Sequence, residues 1–345
     1  MKTLNLFLFA FPIFCVSQVT TVERPDESIE EDLYKMAYFE DKNNYSEIKS
    51  LATIVKNRNK DFANDTLQIA FYNEKGNKTQ EIRYSNNSPS RVTEYNYYPN
   101  GDLLSWELFD TKYSTKTNYS YDLENRIIHT KQYRIRSGSK DSSLTSQKEF
   151  TYQDDKLMEI NHDNGQIIEK YIYENDKIIM KTGGFVSKLF EYNTQNKLTK
   201  ISEFMGGEIK PGNLMGLKVF QYDKQNRLIC DSIQTSNNLQ KNEYQITHYD
   251  YENGALKSVK VKYNSHYRNI DFEYENNKIK QITIRTNISQ NTYLRHWLNS
   301  KIEDYHNFPL ECKELLEYDD KGNRISKKTF VNDELFSEIQ SLIQY

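Results

Sequence analysis

The sequence predicts an all-β chain: an elongated antiparallel meander of tandem β-hairpin repeats, its sheet twisted or curled, with a short N-terminal helical cap. Three observations lead there. The 345 residues hold 27 Tyr and 17 Phe against 2 Trp, and broad flat rings fit a pleated, half-buried surface. One phrase recurs ten times: aromatic-x-Tyr, a polar turn, then a basic or polar residue and an aliphatic. Mean hydropathy is −0.86, as a wide, thin sheet with much polar surface would give.

The N-terminus reads as an export signal. Lys2 supplies the positive start and Leu4 to Val16 an uncharged, mostly apolar stretch, short of the ~20 residues that span a bilayer. Cys15 and Ser17 are small residues at −3 and −1 of a cut after Ser17, so the mature chain would begin at Gln18. A lipoprotein alternative would acylate Cys15, against which stands the bulky Phe14. The chain then divides into a signal peptide (1–17), an N-terminal capping segment (18–66), a repeat domain (67–330) and a C-terminal cap or strand (331–345). Within the second part, Ile48, Leu51, Ala52 and Val55 fall at helical spacing. A helix there would cover the first edge strand.

The repeat is clearest in Tyr119-Ser-Tyr121-Asp-Leu-Glu-Asn125-Arg126-Ile127 and Phe220-Gln-Tyr222-Asp-Lys-Gln-Asn226-Arg227-Leu228. A form one residue shorter reads Phe150-Thr-Tyr152-Gln-Asp-Asp-Lys156-Leu157. The anchors are Tyr72, Tyr97, Tyr121, Tyr152, Tyr173, Tyr192, Tyr222, Tyr251, Tyr274 and Tyr318. The first nine recur about every 25 residues, inside the range of repeat architectures. The wider gap before Tyr318 leaves room for a degenerate copy around Tyr293 to Tyr305. Side chains alternate along a strand, so both rings of each phrase share a face. Asn or Gly late in the turn suits the positive φ of a hairpin loop. At the opposite end of the hairpins, Asp163-Asn164-Gly165 and Gly183-Gly184 mark tight turns. Long loops are expected over 134–149 and 205–217, the natural places for partner contacts.

These phrases resemble the YD repeat of RHS-type proteins, best at Tyr121-Asp122, Tyr222-Asp223 and Tyr318-Asp319 with Gly322-Asn323-Arg324. The resemblance runs over roughly residues 69 to 330 and implies a secreted or surface-exposed hairpin array. In large members such arrays form a hollow shell around a toxic C-terminal domain. This chain departs from them: ten repeats are too few for that shell, and neither a separate toxic domain nor the self-cleaving core segment is visible.

Chemistry-bearing patterns are absent from the sequence. His129, His162, His248, His266, His296 and His306 form no metal-ligand spacing. There is no nucleophile elbow, phosphate loop or dinucleotide fingerprint. Asp154-Asp155 and Asp319-Asp320 read as turn residues. Trp106 and Trp297 lie off the anchor positions and are the better single candidates for a contact surface. After signal removal Cys230 and Cys312 remain; they could pair, but two buried or idle thiols are favoured. A net charge of −3 gives no footprint for nucleic acid. The reading is a non-enzymatic binding or scaffolding module, secreted or at the cell envelope, without a cofactor. It would have protein or carbohydrate partners, no nucleic acid, and no integral membrane segment after signal removal. The alternatives are a component of a contact-dependent toxin system, as shell fragment or toxin partner, and a carbohydrate-active enzyme drawing on the two long loops.

Overall fold

The computed structural model describes residues 48–57, 65–85, 88–110, 112–136, 141–162, 166–237, 241–263, 266–287 and 310–345. They form 22 strands. These are β1 (Ser50–Asn57), β2 (Asp65–Tyr72), β3 (Lys78–Ser85), β4 (Ser88–Tyr97), β5 (Leu103–Phe109), β6 (Tyr113–Tyr121), β7 (Ile127–Arg136) and β8 (Ser142–Gln153). There follow β9 (Lys156–His162), β10 (Ile167–Glu174), β11 (Lys177–Thr182), β12 (Val186–Tyr192), β13 (Leu198–Met205), β14 (Leu214–Tyr222) and β15 (Leu228–Asn237). The last are β16 (Lys241–Glu252), β17 (Ala255–Tyr263), β18 (His266–Glu275), β19 (Lys278–Thr286), β20 (Leu310–Tyr318), β21 (Arg324–Val331) and β22 (Glu334–Gln344). The single helical turn among the described residues is a 3-10 turn at Pro211–Asn213.

Every strand pairs antiparallel with the next, and β1 pairs with both β2 and β22, so the sheet closes on itself. This corrects the predicted open, elongated meander: the protein is a closed 22-stranded antiparallel barrel. It also corrects the helical cap. Leu51, Ala52 and Val55 lie in β1, and Ile48 just before it. The β-branched run Thr53-Ile54-Val55 suits an extended chain. As a strand the segment gives hydrogen-bond partners to two edges at once, one on β2 and one on β22, where a helix could only have covered one. Closure abolishes the edges that an open meander would expose. At about 4.8 Å per strand, 22 strands make a perimeter of about 105 Å.

The turns alternate between two rims. All ten anchor turns lie on one rim; the far rim carries the remaining connections. In the long anchor turns the residue after the tyrosine organises the reversal. Asp223 Oδ1 accepts from the Gln225 and Arg227 amides at 2.8 and 2.9 Å, and Asp122 and Asn193 accept likewise. Asn125, Asn196 and Asn226 then take φ of 61 to 65°. The short turns place two residues at positive φ, as at Asp154-Asp155 and Asn276-Asn277, the geometry whose twist matches the flanking strands.

A β-bulge sits at every anchor, in each case where the register slips beside the anchor tyrosine. The extra residue on the return strand lets positions three apart share a face. Thus Leu198 opposes Tyr192 while Ile201 opposes Phe190, and both aliphatics are buried. Repeated around the ring, this builds one packed face of Tyr, Phe, Leu and Ile near the anchor rim. The other face is polar. The expected degenerate copy near Tyr293 to Tyr305 lies outside the described residues, and β19 pairs directly with β20.

Candidate functional site

The anchor tyrosines form a latch. Each phenol from Tyr97 onward donates to a backbone carbonyl at the start of the preceding hairpin's return strand, at its first or second residue. Tyr121 reaches Leu103 O at 2.8 Å, Tyr152 Ile127 O at 2.9 Å, Tyr222 Leu198 O at 2.8 Å and Tyr318 Ile279 O at 2.9 Å. Tyr97, Tyr173, Tyr192, Tyr251 and Tyr274 do the same at 2.6 to 3.0 Å. The reason is in the ladder. Between β13 and β14 the pairing begins at Lys200↔Val219, two residues beyond Leu198, so the Leu198 carbonyl has no strand partner and the phenol supplies the donor. The same two-residue shortfall recurs at β5–β6, β7–β8 and β15–β16. Burial pushes the phenols of Tyr97, Tyr192 and Tyr222 up to about 12.

The basic residue of the motif completes the contact. Arg126 lies over the Tyr152 ring at 5.0 Å, Lys177 over Tyr192 at 5.0 Å, Arg227 over Tyr251 at 4.5 Å and Lys278 over Tyr318 at 5.0 Å, cation–π distances. In these hairpins one copy both covers the next anchor's ring and accepts its hydroxyl. Sequence reasoning missed a related contact, which lacks the carbonyl bond and uses side chains instead. Tyr345, after Ile343, carries Lys321 over its ring at 3.7 Å, and its hydroxyl bonds Asn323 at 2.8 Å and also Asp319. The aliphatic-x-Tyr spacing, already present at Leu316-Glu-Tyr318, was the available signal.

Below the aromatic belt, the packed face carries buried charges that the sequence did not announce. Lys78 and Arg83 each hold Glu81 at 2.7 Å. Lys181 lies 3.4 Å from Glu169, whose other oxygen accepts from the Tyr171 hydroxyl at 2.5 Å. Glu203 lies between Lys188 and Lys218 at 3.8 and 3.5 Å. Asp231, 1% exposed, accepts from the Tyr249 hydroxyl at 2.6 Å. Desolvation holds its carboxyl above the usual range.

The polar face is laced with cross-strand ion pairs well inside the strands. Examples are Glu159–Lys170 at 3.0 Å, Asp250–Lys260 at 2.8 Å, and Asp271 and Glu311 on Arg285 at 2.7 and 2.8 Å. On this face, towards the far rim of β16–β18, lies a hollow of about 560 Å³. Ile246, Lys262 and Tyr267 form one cross-strand row and His248, Lys260 and Asn269 the next, with His266 at its edge.

The remaining sequence candidates fall apart in space. Of the segment 134–149, residues up to Arg136 and from Ser142 belong to the long strands β7 and β8, so most of the expected loop is hairpin. The segment 205–217 does hold a loop, closed by the 3-10 turn, between β13 and β14. Gly183 and Gly184 make the β11–β12 turn with φ of 104 and 66°. Asp163-Asn164-Gly165, Trp297, His296 and His306 lie outside the described residues. Trp106 is half-buried and donates to the Tyr119 hydroxyl at 3.1 Å. Cys230 and Cys312 are free thiols, and burial pushes Cys312 up to about 11. Among the described residues no group of His, Cys, Asp and Glu could hold a metal ion.

No protein-family model and no curated protein matches the chain. Among solved structures, a porin-like protein from Bacteroides uniformis aligns with 87% of this chain and 97% of its own, at 8% identity and TM-score 0.30. A porin-like protein from Bacteroides vulgatus aligns with 86% and 98%, at 10% identity and TM-score 0.22. The Photorhabdus luminescens Tc holotoxin pore aligns with 85% of this chain but 27% of its own, at 9% identity and TM-score 0.21. At such scores these likenesses carry no argument about activity or location.

Proposed function

We propose that the protein is exported and works in water as a non-enzymatic binding scaffold, its far rim and adjoining polar face presenting the contact surface. The observation that carries this reading is the asymmetry of the two rims. One carries the ten anchor turns, nine of whose tyrosines latch onto the preceding hairpin. The other joins the same strands through connections that differ in length and chemistry, from the two-residue Asn332-Asp333 turn to the loop with its 3-10 turn. Varied loops on a fixed frame are the usual arrangement of a recognition surface. Export is supported by the N-terminal segment Lys2 to Ser17.

The chemistry of the two faces supports working in water. Among the described residues no helix is long and apolar enough to cross a membrane, which leaves open a spanning barrel. Such a barrel needs an outward apolar band ~25 Å tall, where a midplane Lys or Arg costs about 2–4 kcal/mol. The polar face places Lys170, Lys260 and Arg285 within its strands. The packed face follows its aromatic belt with Glu169, Lys181, Glu203 and Lys218. Among the described residues neither face offers the band.

The test is fractionation of cells expressing the full chain. The mature protein should lose its first 17 residues and be released from the envelope fraction or medium without detergent. Retention of Met1 in the cytoplasm would overturn export. Processed protein that needs detergent to leave the membrane would overturn the aqueous barrel.

A further inference from the structure

We infer that the hollow on β16–β18 binds a small ligand carrying an oxyanion on a ring or short apolar body. The inference deepens the binding-scaffold reading, on which it rests, by naming a site and a ligand class.

Beside the hollow the polar face holds several charges in pairs. Lys260 is neutralised by Asp250, Arg285 by Asp271 and Glu311, and Lys280 by Glu275. Inside the hollow the pattern stops. Lys262 has no ion-pair or hydrogen-bond partner among the described residues, nor do the side chains of His248, His266, Tyr267 or Asn269. All five can donate a hydrogen bond; Lys262 carries a full positive charge and only donates, and each imidazole has at least one N–H. No carboxylate lines the hollow; Asp250, whose charge acts on His248, is committed to Lys260, and Asp271 to Arg285. An uncompensated cation beside several free donors is the surface complement of a phosphate or carboxylate. The chain as a whole is acidic by three charges, so this excess is local rather than a general basicity.

Shape agrees with a small ligand. The volume of about 560 Å³ lies within the usual range of small-molecule sites. Ile246 and Tyr267 flank Lys262 in the same cross-strand row, and offer an apolar side and an aromatic ring for the ligand's body. The grid is set by the antiparallel register of three strands rather than by a loop, and Val261 lines it too. The backbone positions of the donors are therefore fixed before a ligand arrives, which removes part of the ordering cost of binding.

Calorimetric titration of the purified mature chain would use four probes: inorganic phosphate, a hexose 6-phosphate, glucuronate, and glucose as the neutral control. Binding of the hexose phosphate or of glucuronate, but not of glucose, is expected; which of the two binds identifies the anion as phosphate or carboxylate. Lys262→Glu should weaken binding about tenfold or more, and His266→Ala, an exposed change that leaves the sheet intact, by several fold. Lys280→Glu, on the same face but outside the hollow, should leave it unchanged. If no anionic probe binds, or if Lys262→Glu and Lys280→Glu weaken binding equally, the site is overturned. Either failure leaves untouched the export and solubility results that test the scaffold reading.

Discussion

The latch yields a sharp expectation at Tyr222. Tyr222→Phe keeps the ring, its packing and the Lys-to-Leu return strand, and removes one hydroxyl that donates to Leu198 O at 2.8 Å. A hydrogen bond of this kind contributes about 0.5–1.5 kcal/mol net, and a buried acceptor left without a donor costs about 1–3 kcal/mol. The strand ladder cannot rescue the carbonyl, because β13–β14 pairing starts only at Lys200↔Val219. The half-buried site admits some water, which puts the loss at about 1–2 kcal/mol for the single variant. Latches in different hairpins share no partner, so Tyr192→Phe, Tyr222→Phe and Tyr251→Phe together should cost about 3–6 kcal/mol. Urea unfolding followed by circular dichroism, with unchanged slope, would measure this. Tyr84→Phe is the control, since the Tyr84 hydroxyl has no partner among the described residues. Should Tyr222→Phe prove as neutral as Tyr84→Phe, the anchors are Tyr for some reason other than the carbonyl.

Alkaline titration should show the same bonds from another side. The phenols of Tyr97, Tyr192 and Tyr222 are raised from the ordinary 10.0 to about 12. Their contribution is therefore complete below pH ~10 and lost as pH rises towards ~12, and ellipticity should fall together with the appearance of tyrosinate absorbance. Lys78→Ala strands Glu81 with Arg83 alone and should destabilise by about 3–5 kcal/mol; scanning calorimetry against Lys280→Ala, at an exposed pair, checks it. Gly183→Ala places a Cβ 2.3 Å from Ile168 O at φ +104° and should cost at least about 2 kcal/mol, read from the urea midpoint. Deleting residues 18–57 removes β1 and leaves β2 and β22 as bare edges; light scattering should report association that the full mature chain does not show.

The repeat was legible because the latch requires a phenol in every copy. At the position two residues earlier, Tyr119, Phe150, Phe220 and Leu316 are interchangeable fillers of the packed face, and that looseness made the fixed tyrosine stand out. Closure was not legible. Leu51 and Val55 are four apart, which satisfies one helical turn and also two strand alternations, and Ile48 and Ala52 tipped the pattern to the helical side. Nothing in one strand's sequence states that its partner lies at the other end of the chain. The buried charges were hidden for a related reason. Glu81 and Asp231 reach the packed face only because the bulges at Tyr72 and Tyr222 change the strand's phase, and strict alternation would have put them in solvent. His248 and His266 were noted without a motif because register, not spacing, brings them to one hollow.

The seam between β1 and β22 has a temporal consequence. Hairpin pairing and latching are local, each latch joining residues 14 to 39 apart, so the array can zip up copy by copy as chain becomes available. Ser50 and Gln344, hydrogen-bonded across the seam, are 294 residues apart. Closing so large a loop adds little to the entropic cost over a loop half its size, but non-local pairing of this kind is slow. Through most of the chain's production β1 must wait with one side bare, at the stage when unpaired strand edges invite wrong partners. The first of the described strands to be made is the last to be finished.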